Sequence, residues 1–175
     1  MEQLLPIIYE DKVSQEEIAK SLNVTTDIFH EHLPIKIIST GLKDIFIPIK
    51  KVEQLQVIQP NYELITSISH KLNVIGYHLF SIMEDQHYIA RCRNFAPAVN
   101  ILEENATGTS SGALASYLFT YGIRPHNLRY YFQQGSSAVG TGYIEAVIEA
   151  DANNISSVQV GGTARFVDKI EVNIS

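Results

Sequence analysis

The spacing of hydrophobic and polar positions changes several times along this chain, and each change marks an element. Ser14 with Glu17 has the spacing of a capping box and opens a short helix that ends near residue 22. Apolar runs at residues 35–39 and 45–49 predict two strands around a turn at Gly41, with Pro48 placing the second strand near a sheet edge. Asn61 caps a helix whose Leu64, Ile65, Ile68 and Leu72 fall on one face. Residues 74–83 and 87–95 read as a hairpin across Glu84-Asp85-Gln86. Four further strands are predicted at 128–134, 143–150, 157–160 and 164–172.

One segment fits neither a surface helix nor a strand. From Asn105 to Ile123 the only ionisable side chains are Tyr117 and Tyr121. A surface helix carries a charged face, so a helix over residues 113–121 must be enclosed by protein on nearly every side. Many strands and one uncharged helix predict an α+β fold in which a mixed sheet wraps around that helix. Its start is different in character: Glu103 and Glu104 precede the small-residue loop Asn105-Ala106-Thr107-Gly108-Thr109.

Two readings of that start stand side by side. Thr107, Thr109, Ser110 and Ser111 are N-cap candidates, with Gly112 a close-packing residue. Alternatively, free N–H groups and the positive end of the helix dipole bind a small molecule carrying a carboxylate, with the acidic pair as proton carriers. Capping accounts for one hydroxyl; it does not account for two glutamates placed before an anion-friendly turn.

Composition narrows the possibilities. At 175 residues the chain is the size of one domain with a real core. Only 18% of residues are charged, below the roughly 25% usual for soluble domains, which points to extra surface buried against another chain. A net charge of −6 and the lack of a basic run with interleaved aromatics argue against nucleic acid. The lone Cys92 rules out an intrachain disulfide and reads as a small buried hydrophobe. His78 and His87, facing each other across the predicted hairpin, lack a third ligand, so no metal site is expected. Residues 1–10 do not have the form of a signal peptide, and no run reaches the roughly 18 apolar residues of a membrane span. A cytoplasmic protein without membrane contact is the expectation.

Arg93, Phe95, Ala96, Pro97, Ile101, Glu103, Ala106, Thr107, Gly108, Gly112, Ala113, Leu114, Ala115, Tyr117 and Leu118 fall in the register of a longer signature. That signature is approximately R-x-F-A-P, a spacer, then G-I-x-E-D-P-A-T-G-S-A-x-G-A-L-A-x-Y-L. It resembles that of the PhzF-like (phenazine-biosynthesis) family of the diaminopimelate epimerase superfamily. The likeness extends through IAKSLNV, IISTGLKDIFIPI and VEQLQVIQPNYELI upstream, which look like that family's helix, strand–glycine–strand and helix. Downstream, Gln134-Gly135 and the stretch from Val158 to Ala164 look like its closing strands.

The resemblance implies a barrel-like sheet around a central helix and proton-transfer isomerase chemistry on a small carboxylated metabolite, with no cofactor. It assigns catalysis to Glu104 and Thr109, and substrate binding to Glu103, Thr107, Gly108 and Ser110, with Gly41 lining the cleft. A structural reading stands beside this for Glu103, as the partner of Arg93 across the loop. Thr107 stands where epimerases of the wider superfamily place a catalytic thiol, which excludes a two-thiol mechanism. Family members have two similar domains. Their general-base glutamate and cleft histidine lie in the first, and neither has a counterpart here. Residues 1–12 accordingly resemble the exit from a first domain, and 13–175 a single second domain.

This chain also departs from the pattern. Glu104-Asn105 replaces Asp-Pro, Thr109 replaces Ser, and Asn100 replaces Gly. Gly140-Thr141-Gly142-Tyr143 stands in place of G-R-P-S. Two function classes follow: an isomerase completed by a homodimer or by a separate first-domain chain, or a non-catalytic truncated remnant or split half serving as a binding subunit.

Overall fold

The computed structural model describes residues 1–85 and 87–163. In chain order they form β1 (Ile7–Tyr9), α1 (Gln15–Ser21), β2 (Lys36–Ser39), β3 (Lys43–Pro48), α2 (Val52–Val57), α3 (Tyr62–Leu72), β4 (Gly76–Ile82), β5 (Ala90–Ala96), β6 (Ile101–Glu104), α4 (Gly108–Thr120), β7 (Arg129–Ser136), β8 (Gly140–Asp151) and β9 (Asn154–Gly161). The strands make one sheet in the order β1-β2-β3-β4-β5-β7-β8-β9, with β6 added to β5. The β3/β4 and β5/β7 pairs are parallel and the others antiparallel. This is the mixed α+β architecture expected from the uncharged helix.

The sheet curls around α4, and the first residues of the chain help close it. The Met1 amino group donates to the Val160 carbonyl at 2.8 Å, and Gln3 N–H to Val158 at 2.8 Å. Leu4 N–H then donates to the Thr40 carbonyl at 3.1 Å. Residues 1–4 therefore connect β9 to the end of β2 across the opening. Inside, every α4 residue from Ser110 to Phe119 is buried. Gly112 lets the helix approach its neighbours, since a Cβ there would lie 3.1 Å from Val158 Cγ1 and 3.2 Å from Gln3 Cγ.

Alternation along β3 and β4 divides the core in two. Phe46 and Phe80 point inward to Leu114, Tyr117 and Leu118 of α4. Ile45, Ile47, Tyr77 and Leu79 point outward to Ile18 of α1, Leu55 of α2 and Ile65 and Ile68 of α3. This period-two pattern lets one sheet carry two hydrophobic layers.

Several local expectations need correction. Ser14 Oγ accepts from Glu17 N–H at 3.2 Å, but the Glu17 carboxylate bonds Lys71 instead of returning to the cap, so only half the capping box forms. The VEQLQVIQPNYELI stretch is two helices, not one. The chain breaks at Pro60, which has no N–H to donate, and restarts where Asn61 Oδ1 accepts from Leu64 N–H at 3.1 Å. Pro48 does not mark an edge: β3 lies between β2 and β4, and proline is accommodated as the strand's last residue. His78 sits opposite Asn94, while His87 lies in the longer connection and stacks on Tyr131. The conceived histidine pair does not exist. The strand expected at 164–172 lies outside the described residues.

Candidate active site

The short strand β6 alternates its side chains, and this separates the two glutamates. Glu103 turns toward Arg93, whose Nε and Nη2 reach its two oxygens at 2.8 and 3.0 Å. Both side chains are only 7% exposed. Ser136 adds a donor at 3.0 Å, and Arg93 Nη1 also holds the carbonyls of Leu55 and Ile58 at the end of α2. Glu103 is thus held in a structural ion pair with Arg93, the pairing across the loop that the sequence allowed beside a substrate-binding part.

Glu104 turns the other way. Its Oε2 accepts from the Thr107 hydroxyl at 2.5 Å. That hydroxyl in turn accepts from Gln134 Nε2 at 2.9 Å, and the same amide donates to the Glu104 carbonyl at 2.8 Å. The fully buried Gln134 on β7 therefore fixes both ends of the turn that carries Glu104. The loop between is clamped by glycines. A Cβ at Gly142 would lie 2.0 Å from the Asn105 carbonyl oxygen, and Asn105 Nδ2 donates to Val139 at 2.9 Å.

The start of α4 is open. Thr107 is the N-cap by position, but its hydroxyl is spent on Glu104 and makes no cap bond. Ser111 Oγ donates back to the Thr107 carbonyl, and Ser110 Oγ to Asp44 Oδ2 at 2.5 Å. None of the hydroxyls weighed as caps accepts from the first-turn N–H groups of Gly108, Thr109 and Ser110 among the described residues. That leaves orphan donors and the positive helix end facing outward.

Beside Thr107 and Ser110 lies a cavity of about 310 Å³, lined also by Leu42, Asp44, Ile75, Asn94, Ala96, Val99, Ile101 and Glu104. Glu104, Thr107 and Ser110 thus line one cavity. Thr109 and Gly41 meet each other at its side, where a Cβ on Gly41 would lie 3.4 Å from Thr109 Cγ2, but neither lines the cavity. Gly41 has φ +149°, a value that favours glycine. Gly108 backs onto Val160 and Met1, not onto the cavity, and has no positive φ.

Sequence reasoning missed three residues here. Asp44, Asn94 and Gln134 are all buried on the inner face of the sheet. Burial pushes the Asp44 carboxyl from 3.8 up to about 6, a rise that Glu104 reinforces and that the Ser110 hydroxyl and Gly76 backbone oppose. Asp44 Oδ1 has no hydrogen-bond partner among the described residues. Asn94 Oδ1 faces His78 Nδ1 at 3.0 Å, and burial lowers His78 to about 4, so it is neutral. The available signal was a lone aspartate at an inward position of an otherwise apolar strand. Among the described residues no group of three or more His, Cys, Asp or Glu is placed to hold a metal. Cys92 is buried at the sheet's inner face, which pushes its thiol up and away from nucleophilic use.

Residues 1–169 match the family described as phenazine biosynthesis-like protein, PhzC-PhzF. An uncharacterized isomerase of Clostridium acetobutylicum is 30% identical over 166 residues, covering 93% of this chain and 55% of that protein. The trans-2,3-dihydro-3-hydroxyanthranilate isomerase of Pseudomonas chlororaphis is 24% identical, covering 83% of this chain and 49% of its own length. The crystal structure of a PhzF-family phenazine biosynthesis protein from Bacillus anthracis superposes with a TM-score of 0.85 at 25% identity, covering 99% of this chain and 60% of that one. The chain spans about half the length of the curated relatives it matches. With its signature residues gathered at the open end of an enclosed helix, this chain belongs to the phenazine biosynthesis-like PhzC-PhzF family.

Proposed function

We propose that this chain carries one half of an isomerase site that moves a proton between carbons of a small carboxylated metabolite. The observation that supports this most is the Glu104–Thr107 pair at the mouth of the cavity, beside the unpaired N–H groups of α4. Glu104 gives or takes the proton, and the first-turn N–H groups stabilise the negative charge that develops as a C–H bond breaks. Thr109, whose side chain packs beside Gly41, takes part through its backbone N–H, and no cofactor is needed. The opposing base comes from a first-domain half, for which residues 1–12 serve as the junction, or from a second copy of the chain. The compartment fitting this chemistry is the cytoplasm; no helix among the described residues is long and apolar enough to cross a membrane.

A second reading, a binding subunit without turnover, draws on the rim of the same cavity. Leu42, Val99 and Ile101 are exposed there, an apolar edge suited to a covering partner. Solvent deuterium exchange distinguishes the two, with trans-2,3-dihydro-3-hydroxyanthranilate as probe. The isomerase reading expects no exchange by the chain alone and exchange once a relative's first-domain fragment is added. Exchange by a strictly monomeric chain contradicts the half-site. No exchange in a verified complex favours the binding subunit.

A further inference from the structure

The cavity holds two carboxylates and no cation. Its charged lining groups are Asp44 and Glu104, which accept from the Ser110 and Thr107 hydroxyls respectively, and Asn94 lines the same cavity. An incoming carboxylate therefore meets attraction from the helix end and repulsion from two resident acids. The groups around Asp44 leave little room for other compensation. Its neighbour on β2 is Ile38, and on β4 Gly76, followed by a neutral His78 already facing Asn94. From β6 comes Glu104 and from α4 Ser110. Lys43, the nearest cation in sequence, turns outward over the Tyr9 ring, 3.9 Å from its centroid.

Asp44 is 4% exposed, and its Oδ1 is unpartnered while Oδ2 is held by Ser110. A proton on Oδ1 converts that orphan acceptor into a donor beside the cavity that Asp44 lines, and removes one of the two repelling charges. We propose that ligand uptake at this site is proton-coupled: a carboxylate binds at the α4 N-terminus together with one proton, and Asp44 is the residue that holds it. This rests on the reading of the cavity as a carboxylate site, and adds a positioning acid that the signature motif does not contain. The balance is simple, since ligand carboxylate and one solvent proton enter and no covalent bond to carbon changes. The burial that raises Asp44 toward neutrality already prepares it for this part.

Succinate is a suitable probe, measured by calorimetry in two buffers of different ionisation enthalpy and over a range of pH. The proposal expects net uptake approaching one proton per succinate near neutral pH. The dissociation constant should rise about tenfold per pH unit above the midpoint of the free protein, as linkage of one proton requires. Asp44→Asn, close in shape and still an acceptor for Ser110, should abolish both the uptake and the slope. The proton count on the unaltered protein stands even if that variant folds poorly. Binding without proton uptake, binding that releases protons, or an Asp44→Asn protein that keeps the full slope overturns the proposal while leaving the carboxylate site in place. No succinate binding at any pH removes the site itself, and this inference with it.

Discussion

Thr107 and Glu104 are joined by a 2.5 Å hydrogen bond at the point where the sheet hands the chain to its central helix. The threonine hydroxyl is the middle member of a relay from Gln134, so the position of the carboxylate is set from a buried strand on the far side of the loop. Thr107→Val should remove the donor to Glu104 and one acceptor for Gln134, costing about 1–3 kcal/mol. Thr107→Ser should recover most of that loss. Urea unfolding of the three proteins checks this, and equal stability of the Val and Ser variants would show that the relay contributes nothing.

The Arg93–Glu103 pair makes the opposite prediction for the adjacent glutamate. Arg93→Ala leaves a buried carboxylate with only Ser136 and frees the carbonyls of Leu55 and Ile58. A loss of roughly 3–5 kcal/mol follows, as for other buried pairs broken from one side. Glu103→Gln should likewise lower stability while leaving the succinate response of the cavity intact. A Glu103→Gln protein of full stability but altered binding would return Glu103 to the substrate.

Asp44 and His78 act against each other as pH changes. The Asp44 carboxyl is raised from 3.8 to about 6, so the folded protein holds that proton more tightly, and its contribution is lost as pH rises through about 6. His78 is lowered from 6.5 to about 4, so its contribution is complete above 6.5 and is lost as pH falls through about 4. Each shift corresponds to roughly 3 kcal/mol, and between about pH 4 and 6 the two slopes oppose. Asp44→Asn should expose a stability that climbs with pH across this window, and His78→Gln one that falls. Chemical denaturation at several pH values measures both. Parallel curves for all three proteins would refute the opposed pair.

Much of the fold was legible because α4 lacks charge over its whole length, which admits only an enclosed helix. The two caps at Ser14 and Asn61 were legible for the same local reason: a side-chain acceptor three residues before an N–H. The strand β6 was not, because Ile101 and Leu102 are exposed and the strand exists only through pairing with β5. At the site, Glu103 and Glu104 are adjacent in sequence, but strand alternation sends them to different partners, Arg93 and Thr107. Asp44 was hidden because its significance depends on Ser110, a residue distant in sequence and bonded to it only after the sheet has curled.

Whether the open end of α4 receives a carboxylate is read from backbone amide chemical shifts during a succinate titration near pH 5.5. The largest shifts should fall on Gly108, Thr109 and Ser110, with Glu104 and Thr107 next. Shifts confined to residues away from the start of α4, or amides at 108–110 that do not move at saturating succinate, would refute carboxylate binding there.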